Sequence, residues 1–368
     1  MTKEKPKVVV AMSGGVDSSV TAALLVEQGY EVIGMMLRLW SEPGRESNNR
    51  CCTPDSMSMA KRVASILNIP FYVIDIKSIF KEKVVDYFLI GYTQGITPNP
   101  CLICNKHIRW GYLFERAMMI EADFLATGHY ARLKTQKNKP IQLIRAVDKT
   151  KDQSYVLGIL SQKQLKHTLF PVGEYTKTDI RKLAEKYKLP VSTIKDSQDL
   201  CFLAGTDYRS FIKRQSNGTQ KQGNIINIQG DILGKHDGLA MYTIGQRKGL
   251  GISSTVPMYV IDKDIITNTL IIGRVDELGK DQLKASQVNW ISGKPPIKPF
   301  KAKVKIRYKS PLISGEISPI DKNRFNVKFK NNLRDITPGQ AAVIYKGEEV
   351  IGSGIIDSQY SNPENSSS

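Results

Sequence analysis

The chain has 368 residues, of which 41% are hydrophobic, and it carries a formal charge of +18 with a pI near 9.5. This length suits two or three domains with buried cores, and the positive charge favours a polyanion such as nucleic acid as the partner. The first residues are polar and the first apolar run is short, which argues against a signal peptide or membrane span and predicts a cytoplasmic protein.

Residues 1–206 alternate strand-like and helical segments. Apolar runs typical of strands (VVVAM, EVIGMML, FYVIDI, DFLATGH) are separated by segments of helical periodicity such as 56–67 and 105–121. This alternation indicates a parallel sheet with helices on both faces. We therefore predict a doubly wound α/β domain here.

Two smaller regions follow. Residues 207–288 are broken by glycines into short segments, which predicts a small central domain of loops and short strands. Residues 289–357 alternate with the period of strands, with turns predicted at 310–311, 330–332 and 338–339, so we expect a C-terminal antiparallel β-barrel. From Trp290 to Asp357 we count 13 Lys and Arg against 6 Asp and Glu, and this barrel is therefore basic. Residues 358–368 are predicted to be a disordered tail.

The first strand ends in a glycine-rich turn, Ser13-Gly14-Gly15-Val16-Asp17-Ser18-Ser19, followed by a helix. Backbone N–H groups at such a turn, backed by the positive end of a helix, bind anions, and the serine hydroxyls add donors. Asp17 is placed to hold a Mg²⁺ ion on phosphates. The turn has neither the lysine of a GxxxxGK[ST] loop nor the spacing of GxGxxG, and a plain tight turn remains an alternative.

Seven motifs in chain order resemble the bacterial tRNA-specific 2-thiouridylases, a family with a pyrophosphatase-type (PP) loop. They are SGGVDSS (13–19), NPCLICN (99–105), ATGHYAR (126–132), KDQSYVL (151–157), DSQDLCF (196–202), YTIGQRKGLGI (242–252) and KIRY (305–308). The resemblance implies ATP-dependent 2-thiolation of the wobble uridine of tRNA. ATP would adenylate the C2 oxygen of the uracil, a poor leaving group, and sulfur would then displace AMP.

The resemblance also implies the site residues. ATP, with Mg²⁺, would contact Ala11, Met12, Ser13, Gly14, Gly15, Val16, Asp17, Ser18, Leu37 and Gly128, where Leu37 replaces a more usual methionine. The target base, swung out of the anticodon loop, would lie against Asn99, Pro100 and Cys101. Other tRNA contacts would come from His129, Lys151, Asp152, Gln153, Arg307, Tyr308 and Gln340.

The chemistry would depend on two of the five cysteines. By resemblance, Cys201 would carry a persulfide received from a cysteine desulfurase or a sulfur-relay protein, and Cys104 would be the nucleophile that helps to release the sulfur. Cys104 precedes a helical segment that is predicted to begin near Asn105, with Lys106, His107 and Arg109 nearby. Positive charge and a helix N-terminus both favour a thiolate.

Alternatives for the cysteines remain open. Cys101 stands where many family members have aspartate, so that Cys101, Cys104 and Cys201 could ligate a 4Fe-4S cluster that delivers the sulfur. A zinc site that adds His107 and a redox disulfide between Cys101 and Cys104 are further possibilities. No role is assigned to Cys51, Cys52, Asp196 or Asp199.

Two other classes of function are weighed. An ATP-dependent ligase with the same loop would need neither the cysteines nor a basic barrel. A nonenzymatic RNA-binding module with a structural zinc would bind RNA without ATP.

Overall fold

A computed structural model describes residues 5–45, 53–194, 200–203, 205–215 and 221–358. Cys51, Cys52, Asp196 and Asp199 lie outside these ranges, as does the predicted tail except for Ser358. In the part of the chain that is described, no helix is long and apolar enough to cross a membrane.

The first domain is built on a parallel sheet. Its strands are β1 (Lys7–Ala11), β2 (Glu31–Arg38), β3 (Phe71–Asp75), β4 (Phe124–Thr127) and β7 (Thr168–Leu169), in the spatial order β3-β2-β1-β4-β7. The order reverses at β1, where the chain turns from one half of the sheet to the other. A crevice forms at this kind of switch point, outside the carboxyl ends of the strands.

The domain's helices are α1 (Val16–Glu27), α2 (Pro54–Ile66), α3, α4, α5 (Ser154–Leu157), α6 (Gln162–Lys166) and α7 (Lys177–Lys186). Helix α3 runs through Lys77–Phe80, Lys81–Asp86 and Tyr87–Thr93, and α4 through Pro100–Ile103, Cys104–Leu113 and Phe114–Met119. The middle part of each has the wider π-helical turn. Short 3₁₀ turns occur at Pro171–Glu174, Cys201–Leu203 and Leu239–Met241.

The central strand β1 is buried on both faces of the sheet. Val8 and Val10 pack with residues of α1, α2 and α7, whereas Val9 points to the opposite face and packs with Trp110 and Leu113 of α4. Consecutive strand side chains point to opposite faces, so a continuous run of valines serves both cores. The prediction of a doubly wound α/β domain is confirmed.

The start of α4 corrects one expectation. The helix begins at Pro100, five residues before the predicted start, and Asn99 caps it by accepting a hydrogen bond from the Leu102 N–H at 3.2 Å. Cys104 therefore lies within the helix rather than at its beginning. Cys101, in the first turn, is the cysteine that lies at the positive end of the helix dipole.

The central region folds as a four-stranded sheet preceded by α8 (Tyr208–Gln215). Its strands are β8 (Gly223–Ile226), β9 (Ile232–His236), β10 (Tyr259–Asp264) and β11 (Thr269–Gly273), in the order β10-β11-β8-β9. Ile225, Val260 and Leu270 belong to its own apolar core.

The C-terminal region is a closed antiparallel barrel. Its strands are β12 (Lys280–Trp290), β13 (Phe300–Lys305), β14 (Ile313–Pro319), β15 (Phe325–Leu333), β16 (Ala341–Lys346) and β17 (Glu349–Ile356), and pairing of β12 with β17 closes it. The turn predicted at 330–332 is wrong, because β15 extends to Leu333, but the pairing of β15 with β12 shifts register between Lys328 and Leu333. Strand β12 begins before residue 289, where the barrel domain was predicted to start.

A hairpin of the first domain joins the barrel sheet. Strands β5 (Ala131–Lys134) and β6 (Gln142–Arg145) form the hairpin, and Leu143 of β6 pairs with Val350 of β17. The barrel is therefore hydrogen-bonded to the domain that carries the glycine-rich loop. This attachment brings barrel residues to the same crevice.

Candidate functional site

The glycine-rich loop connects β1 to α1 at the carboxyl edge of the sheet. Ser13 donates its backbone N–H to Ser18 Oγ at 3.2 Å, and the hydroxyls of Ser18 and Ser19 donate to the Gly15 carbonyl at 3.1 and 2.9 Å. These bonds fix the loop over the start of α1. The first N–H groups of a helix have no intrahelical acceptor, so the arrangement presents donors to an anion.

Two glycines permit close approaches around this loop. Gly14 has φ +76°, and a Cβ there would lie 2.3 Å from the Ser56 carbonyl oxygen at the start of α2. A Cβ on Gly128, after β4, would lie 2.8 Å from the Ser18 nitrogen. Both positions admit only glycine without a backbone shift. Gly128 thus lets the end of β4 lie directly against the start of α1.

A cavity of about 750 Å³ opens over the loop. Its walls include all ten residues that were predicted to contact ATP: Ala11, Met12, Ser13, Gly14, Gly15, Val16, Asp17, Ser18, Leu37 and Gly128. Met35, Leu39 and Met59 add apolar surface from β2, the segment after it and α2. The cavity thus combines a cradle of donors with an apolar wall, which suits a nucleotide's phosphates and its base.

Asp17 is already engaged by a lysine. Lys177 Nζ lies 2.7 and 2.8 Å from the two carboxylate oxygens of Asp17, and the Tyr130 hydroxyl donates to the same carboxylate at 2.7 Å. Lys177 is the first residue of α7, and its side chain is only 12% exposed. Because Lys177 lies 160 residues from Asp17, the local sequence did not predict this ion pair.

Cys104 and Cys201 both line the cavity. Each is half-buried and packs at the edge of one apolar cluster, and Phe202 anchors the short turn that carries Cys201. The Phe202 ring is fully buried, with ring-centroid distances of 5.2 Å to Phe88 and 5.4 Å to Phe211. The structure thus brings together the two cysteines that the sequence separates by almost a hundred residues.

The charge near Cys104 differs in part from expectation. Lys106 and His107 are exposed and do not line the cavity, whereas Arg109, the third of the expected charges, lines it with Cys104. Arg109 Nη1 lies 3.3 Å from Asn105 Oδ1 and 2.8 Å from His129 Nε2. Partial desolvation of its ring, with the charges of Lys106 and Lys83, nevertheless lowers the pKa of the exposed His107. His107 is therefore a poor source of positive charge.

The described cysteines do not form a metal site. Cys101, Cys104 and Cys201 are not in a disulfide bond, and Cys101 is exposed rather than part of the cavity wall. In the described ranges, no three Cys, His, Asp or Glu side chains are grouped closely enough to hold a metal ion. In the described ranges these side chains are therefore not gathered around a cluster or a zinc ion, and the 4Fe-4S cluster and the zinc site with His107 stay predictions.

Four of the predicted tRNA contacts line the cavity: His129, Lys151, Gln153 and Tyr308. Among them His129 is buried, so it forms part of the cavity's inner wall and not of an outer surface. Tyr308, from the barrel, is 40% exposed and offers an aromatic face beside the cavity. Its ring centroid is 6.1 Å from that of Tyr155 and 5.6 Å from Lys305 Nζ.

Other predicted tRNA contacts are engaged within the protein. Asp152 is buried and accepts hydrogen bonds from Arg145 Nε at 2.9 Å and from the Ala146 N–H at 3.1 Å. Arg307 donates to the Ile244 carbonyl of the central domain at 3.1 Å and to Thr337 Oγ1. Both hold elements together, so their surroundings favour a structural role over direct contact with tRNA.

The predicted target-base loop is held by the barrel. Gln340 Nε2 donates to the carbonyls of Thr97 and Pro98 at 2.9 and 3.3 Å, and the Thr97 N–H donates to the Pro338 carbonyl at 2.9 Å. Asn99 and Pro100 are buried at the start of α4, which leaves Cys101 as the exposed member of the predicted set. Gln340 thus positions this loop from within the protein.

Several residues of the cavity wall were not predicted: Asp55, Ser56, Thr127, Tyr130, Lys177 and Lys309. Thr127 and Tyr130 lie in the quoted ATGHYAR motif, and Lys309 directly follows KIRY. Thr127 and Tyr130 could therefore have been chosen within their motif, and Lys309 could have been found by extending KIRY by one residue. Lys177 could not, because it lies outside all seven motifs.

Three family models match successive parts of the chain. They are the tRNA methyl transferase HUP domain over residues 6–205, the tRNA methyl transferase PRC-barrel domain over 209–274 and the aminomethyltransferase beta-barrel domain over 280–356. Their order agrees with the three regions of the fold.

The chain is similar to curated proteins over nearly its whole length. It is 46% identical over 354 residues to tRNA-specific 2-thiouridylase MnmA of Clostridium kluyveri, covering 96% of this chain and 99% of that protein. It is 45% identical over 355 residues to tRNA-specific 2-thiouridylase MnmA 1 of Caldanaerobacter subterraneus, covering 95% and 98%.

A solved structure also resembles part of the chain. It is the U34-tRNA thiolase NcsA from Methanococcus maripaludis with its [4Fe-4S] cluster, with 21% identity and a TM-score of 0.35. The match covers 58% of this chain and 65% of that one.

Proposed function

The chain belongs to the tRNA-specific 2-thiouridylase family, whose reaction is an ATP-dependent thiolation of tRNA uridine, and we propose that it thiolates C2 of the wobble uridine through a persulfide on Cys201. One observation carries the proposal: the glycine-rich loop, Cys104 and Cys201 line a single cavity. A uridine that enters it meets both the activating nucleotide and the sulfur. The two half-reactions can therefore occur without release of the intermediate.

The first half-reaction is adenylation. The C2 oxygen of the uracil attacks the α-phosphorus of ATP, the bond between the α- and β-phosphates breaks, and pyrophosphate leaves. The backbone N–H groups at the start of α1, which no side chain caps, stabilise the charge on the phosphates. The carboxylates of Asp17 and Asp55 line the same wall and would hold a Mg²⁺ ion there, where it would neutralise phosphate charge. The product of this step is a uridine whose oxygen can depart as AMP.

The second half-reaction transfers sulfur. The terminal sulfur of the Cys201 persulfide forms a bond to C2, and the Cys104 thiolate attacks Sγ of Cys201, breaking the persulfide S–S bond. AMP takes the electrons of the C2–O bond. The transferred sulfur is reduced, and the two cysteines are oxidised to a Cys104–Cys201 disulfide, which a dithiol reductant must open before the next turnover. Both cysteines must thus reach one another, as their shared cavity and apolar cluster favour.

Other residues of the cavity wall favour the Cys104 thiolate and the binding of tRNA. Arg109 lines the cavity with Cys104, and a guanidinium there favours the thiolate. Lys151 and Lys309 add positive charge for tRNA phosphates, and the exposed ring of Tyr308 offers a stacking surface for an extruded base. A cysteine desulfurase, directly or through a relay protein, would load Cys201 in the cytoplasm.

A reconstituted assay tests the proposal. Unmodified tRNA, ATP, cysteine and a cysteine desulfurase are combined with the protein, and 2-thiouridine is measured by mass spectrometry of the nucleosides. We expect thiolation by the unaltered chain, a mass increase of one sulfur on Cys201, and loss of product in Cys104→Ser and Cys201→Ser.

Cys101→Ser is the matched control for these variants. Cys101 is exposed and outside the cavity wall, so this variant should retain thiolation. Loss of activity in Cys101→Ser to the same degree as in Cys201→Ser would contradict the persulfide route.

A further inference from the structure

We propose that Lys177 binds the terminal phosphates of ATP, exchanging its ion pair with Asp17 for one with the nucleotide. The glycine-rich loop has no lysine of its own, unlike a GxxxxGK[ST] loop, whose lysine contacts the phosphates. The fold brings one to the same place from the start of α7. Lys177 thus supplies the charge that the loop lacks.

The geometry places this ammonium group at the phosphate end of the cavity. Lys177 Nζ lies 2.7 Å from Asp17 Oδ1, and Asp17 is in the first turn of α1, among the loop donors. The apolar wall formed by Leu37 and Met59 lies on β2 and α2 instead. A nucleotide whose base contacts that wall directs its phosphates towards α1 and Lys177.

The backbone of Lys177 is fixed, whereas its long side chain can change partner. Thr176 and Asp179 form a reciprocal capping box at the start of α7, and the Lys177 N–H donates to Asp148 Oδ2 at 3.0 Å. A lysine carries a compact charge on a flexible stem, so its ammonium group can move without movement of the helix. The fixed helix start therefore keeps Nζ within reach of both Asp17 and a phosphate.

The exchange has an electrostatic reason. The Lys177 charge is already in place before the triphosphate arrives, and the Asp17 carboxylate that it leaves is the one that would hold Mg²⁺ in the proposed function. A phosphate oxygen accepts a charge-assisted hydrogen bond from an ammonium group, as the carboxylate does. The contact is made with the β- and γ-phosphates, so the affinity for ATP depends on Lys177 and the affinity for AMP does not.

Equilibrium binding of ATP and AMP tests the inference. We expect Lys177→Met to weaken ATP binding about 10- to 100-fold and to leave AMP binding within about twofold, since one charge-assisted contact is lost. Lys177→Arg should retain most of the ATP affinity. Lys186→Met, an exposed lysine at the other end of the same helix, is the matched control and should change neither affinity. Equal ATP affinity in Lys177→Met and the unaltered protein, or an equal loss for both nucleotides, would overturn the inference.

A labelling experiment on the unaltered protein avoids any question of folding. An ATP analogue with an acyl group on its terminal phosphate transfers that acyl group to a nearby lysine Nζ, forming an amide and releasing ATP. We expect peptide mass spectrometry to find the amide on Lys177, with labelling suppressed by excess ATP. Labelling of Lys151 or Lys309 in its place would refute the contact.

The inference about Lys177 rests on the proposed function in one respect, that ATP binds this cavity. Different binding results would contradict the proposed function and the inference about Lys177. If the unaltered protein binds neither ATP nor AMP, the proposed function fails and the inference with it; if it binds both nucleotides and Lys177→Met does so equally well, only the inference fails.

Discussion

Arg109 donates a hydrogen bond from Nη1 to His129 Nε2 across 2.8 Å, and His129 Nδ1 lies 2.8 Å from Thr127 Oγ1. A guanidinium can only donate, so Nε2 is the unprotonated nitrogen and Nδ1 carries the proton. Burial, together with the charge of Arg109, lowers the pKa of His129 well below 6.5 and keeps the ring neutral. The neutral ring can therefore hold the guanidinium at the wall of the cavity that Cys104 also lines.

The first prediction concerns the reactivity of Cys104. Replacing Arg109 by Met removes a cation from the cavity wall that Cys104 also lines, and positive charge near a thiol favours the reactive thiolate. We expect alkylation of Cys104 by iodoacetamide to slow about tenfold, as the loss of about 1.4 kcal/mol of thiolate stabilisation implies. Lys106→Met, an exposed lysine on the same helix, should leave the rate unchanged. Equal rates in both variants would show that Arg109 does not act on this thiol.

The second prediction is a loss of stability in acid that depends on His129. Its folded pKa is depressed below the unfolded value of about 6.5, so the unfolded chain binds the additional proton as the pH falls below about 6.5. The contribution of the neutral, buried His129 ring to the free energy of unfolding is fully present above pH 6.5. It decreases below that pH by at most about 1.4 kcal/mol per pH unit. His129→Gln should reduce the decrease in melting temperature between pH 7 and pH 5.5. An unchanged pH dependence in this variant would argue that His129 is not held neutral. His107 and His236, whose pKa values are also lowered, will contribute to the remaining slope.

The third prediction concerns a buried lysine in the central domain. Burial lowers the pKa of Lys263 to about 8, and its ammonium group donates to the Tyr242 carbonyl at 3.1 Å. Between about pH 8 and the unfolded pKa near 10.5, the unfolded chain holds a proton that the folded chain lacks, so stability rises with pH over that window.

Removing this charge should stabilise the domain at neutral pH. Lys263→Met eliminates a penalty of up to about 3 kcal/mol, offset by the loss of one hydrogen bond of about 1 kcal/mol. We expect a higher melting temperature at pH 7 and a smaller rise of stability between pH 8 and 10. Destabilisation at pH 7 would mean that the hydrogen bond outweighs the cost of burying the charge.

The fourth prediction separates the position of Cys201 from general stability. Phe202→Ala removes the ring that anchors the turn of Cys201 against Phe88 and Phe211, at a cost of about 3–5 kcal/mol. Phe325→Ala removes an equally buried ring in the barrel. Both variants should lose similar stability, but only Phe202→Ala should lower the rate of sulfur transfer from a loaded Cys201. Similar transfer rates in the two variants would exclude an anchoring role.

The sequence predicted the local features of this molecule well. Gly14 and Gly15 indicated an anion-binding turn because strand, turn and helix are consecutive, and the cavity wall includes every residue assigned to ATP. The parallel sheet followed from the alternation of valine-rich runs with helical segments. The turn and the individual strands and helices could be predicted because each is determined by residues close together in the sequence.

Contacts between distant segments could not be predicted in this way. The pairing of Lys177 with Asp17 and the hydrogen bonds from Gln340 to the loop at Thr97 depend on the packing of separate elements. Asp152 was assigned to tRNA by the resemblance of its motif, and the sequence did not indicate that Arg145, seven residues earlier, binds its buried carboxylate. The polar residues at 330–332 predicted a turn, whereas they lie exposed in β15, where its pairing with β12 shifts register.

The last prediction tests whether the barrel positions the loop before α4. Gly339 has φ +88°, and a Cβ there would lie 2.9 Å from the Thr97 carbonyl oxygen, whereas Gly347 has φ +61° with no atom within 4 Å. Alanine at either position incurs the strain of a left-handed backbone, about 1–2 kcal/mol. Only Gly339→Ala also pushes the barrel turn away from the loop, displacing Asn99 and the cysteines that follow it in α4.

We expect Gly339→Ala to lose at least tenfold in tRNA thiolation while its ATP affinity is unchanged, because the glycine-rich loop lies on a different part of the sheet. Gly347→Ala should lose only stability. Equal activity of the two variants would show that the barrel turn does not set the position of this loop, because the strain is common to both and the contact with Thr97 is not.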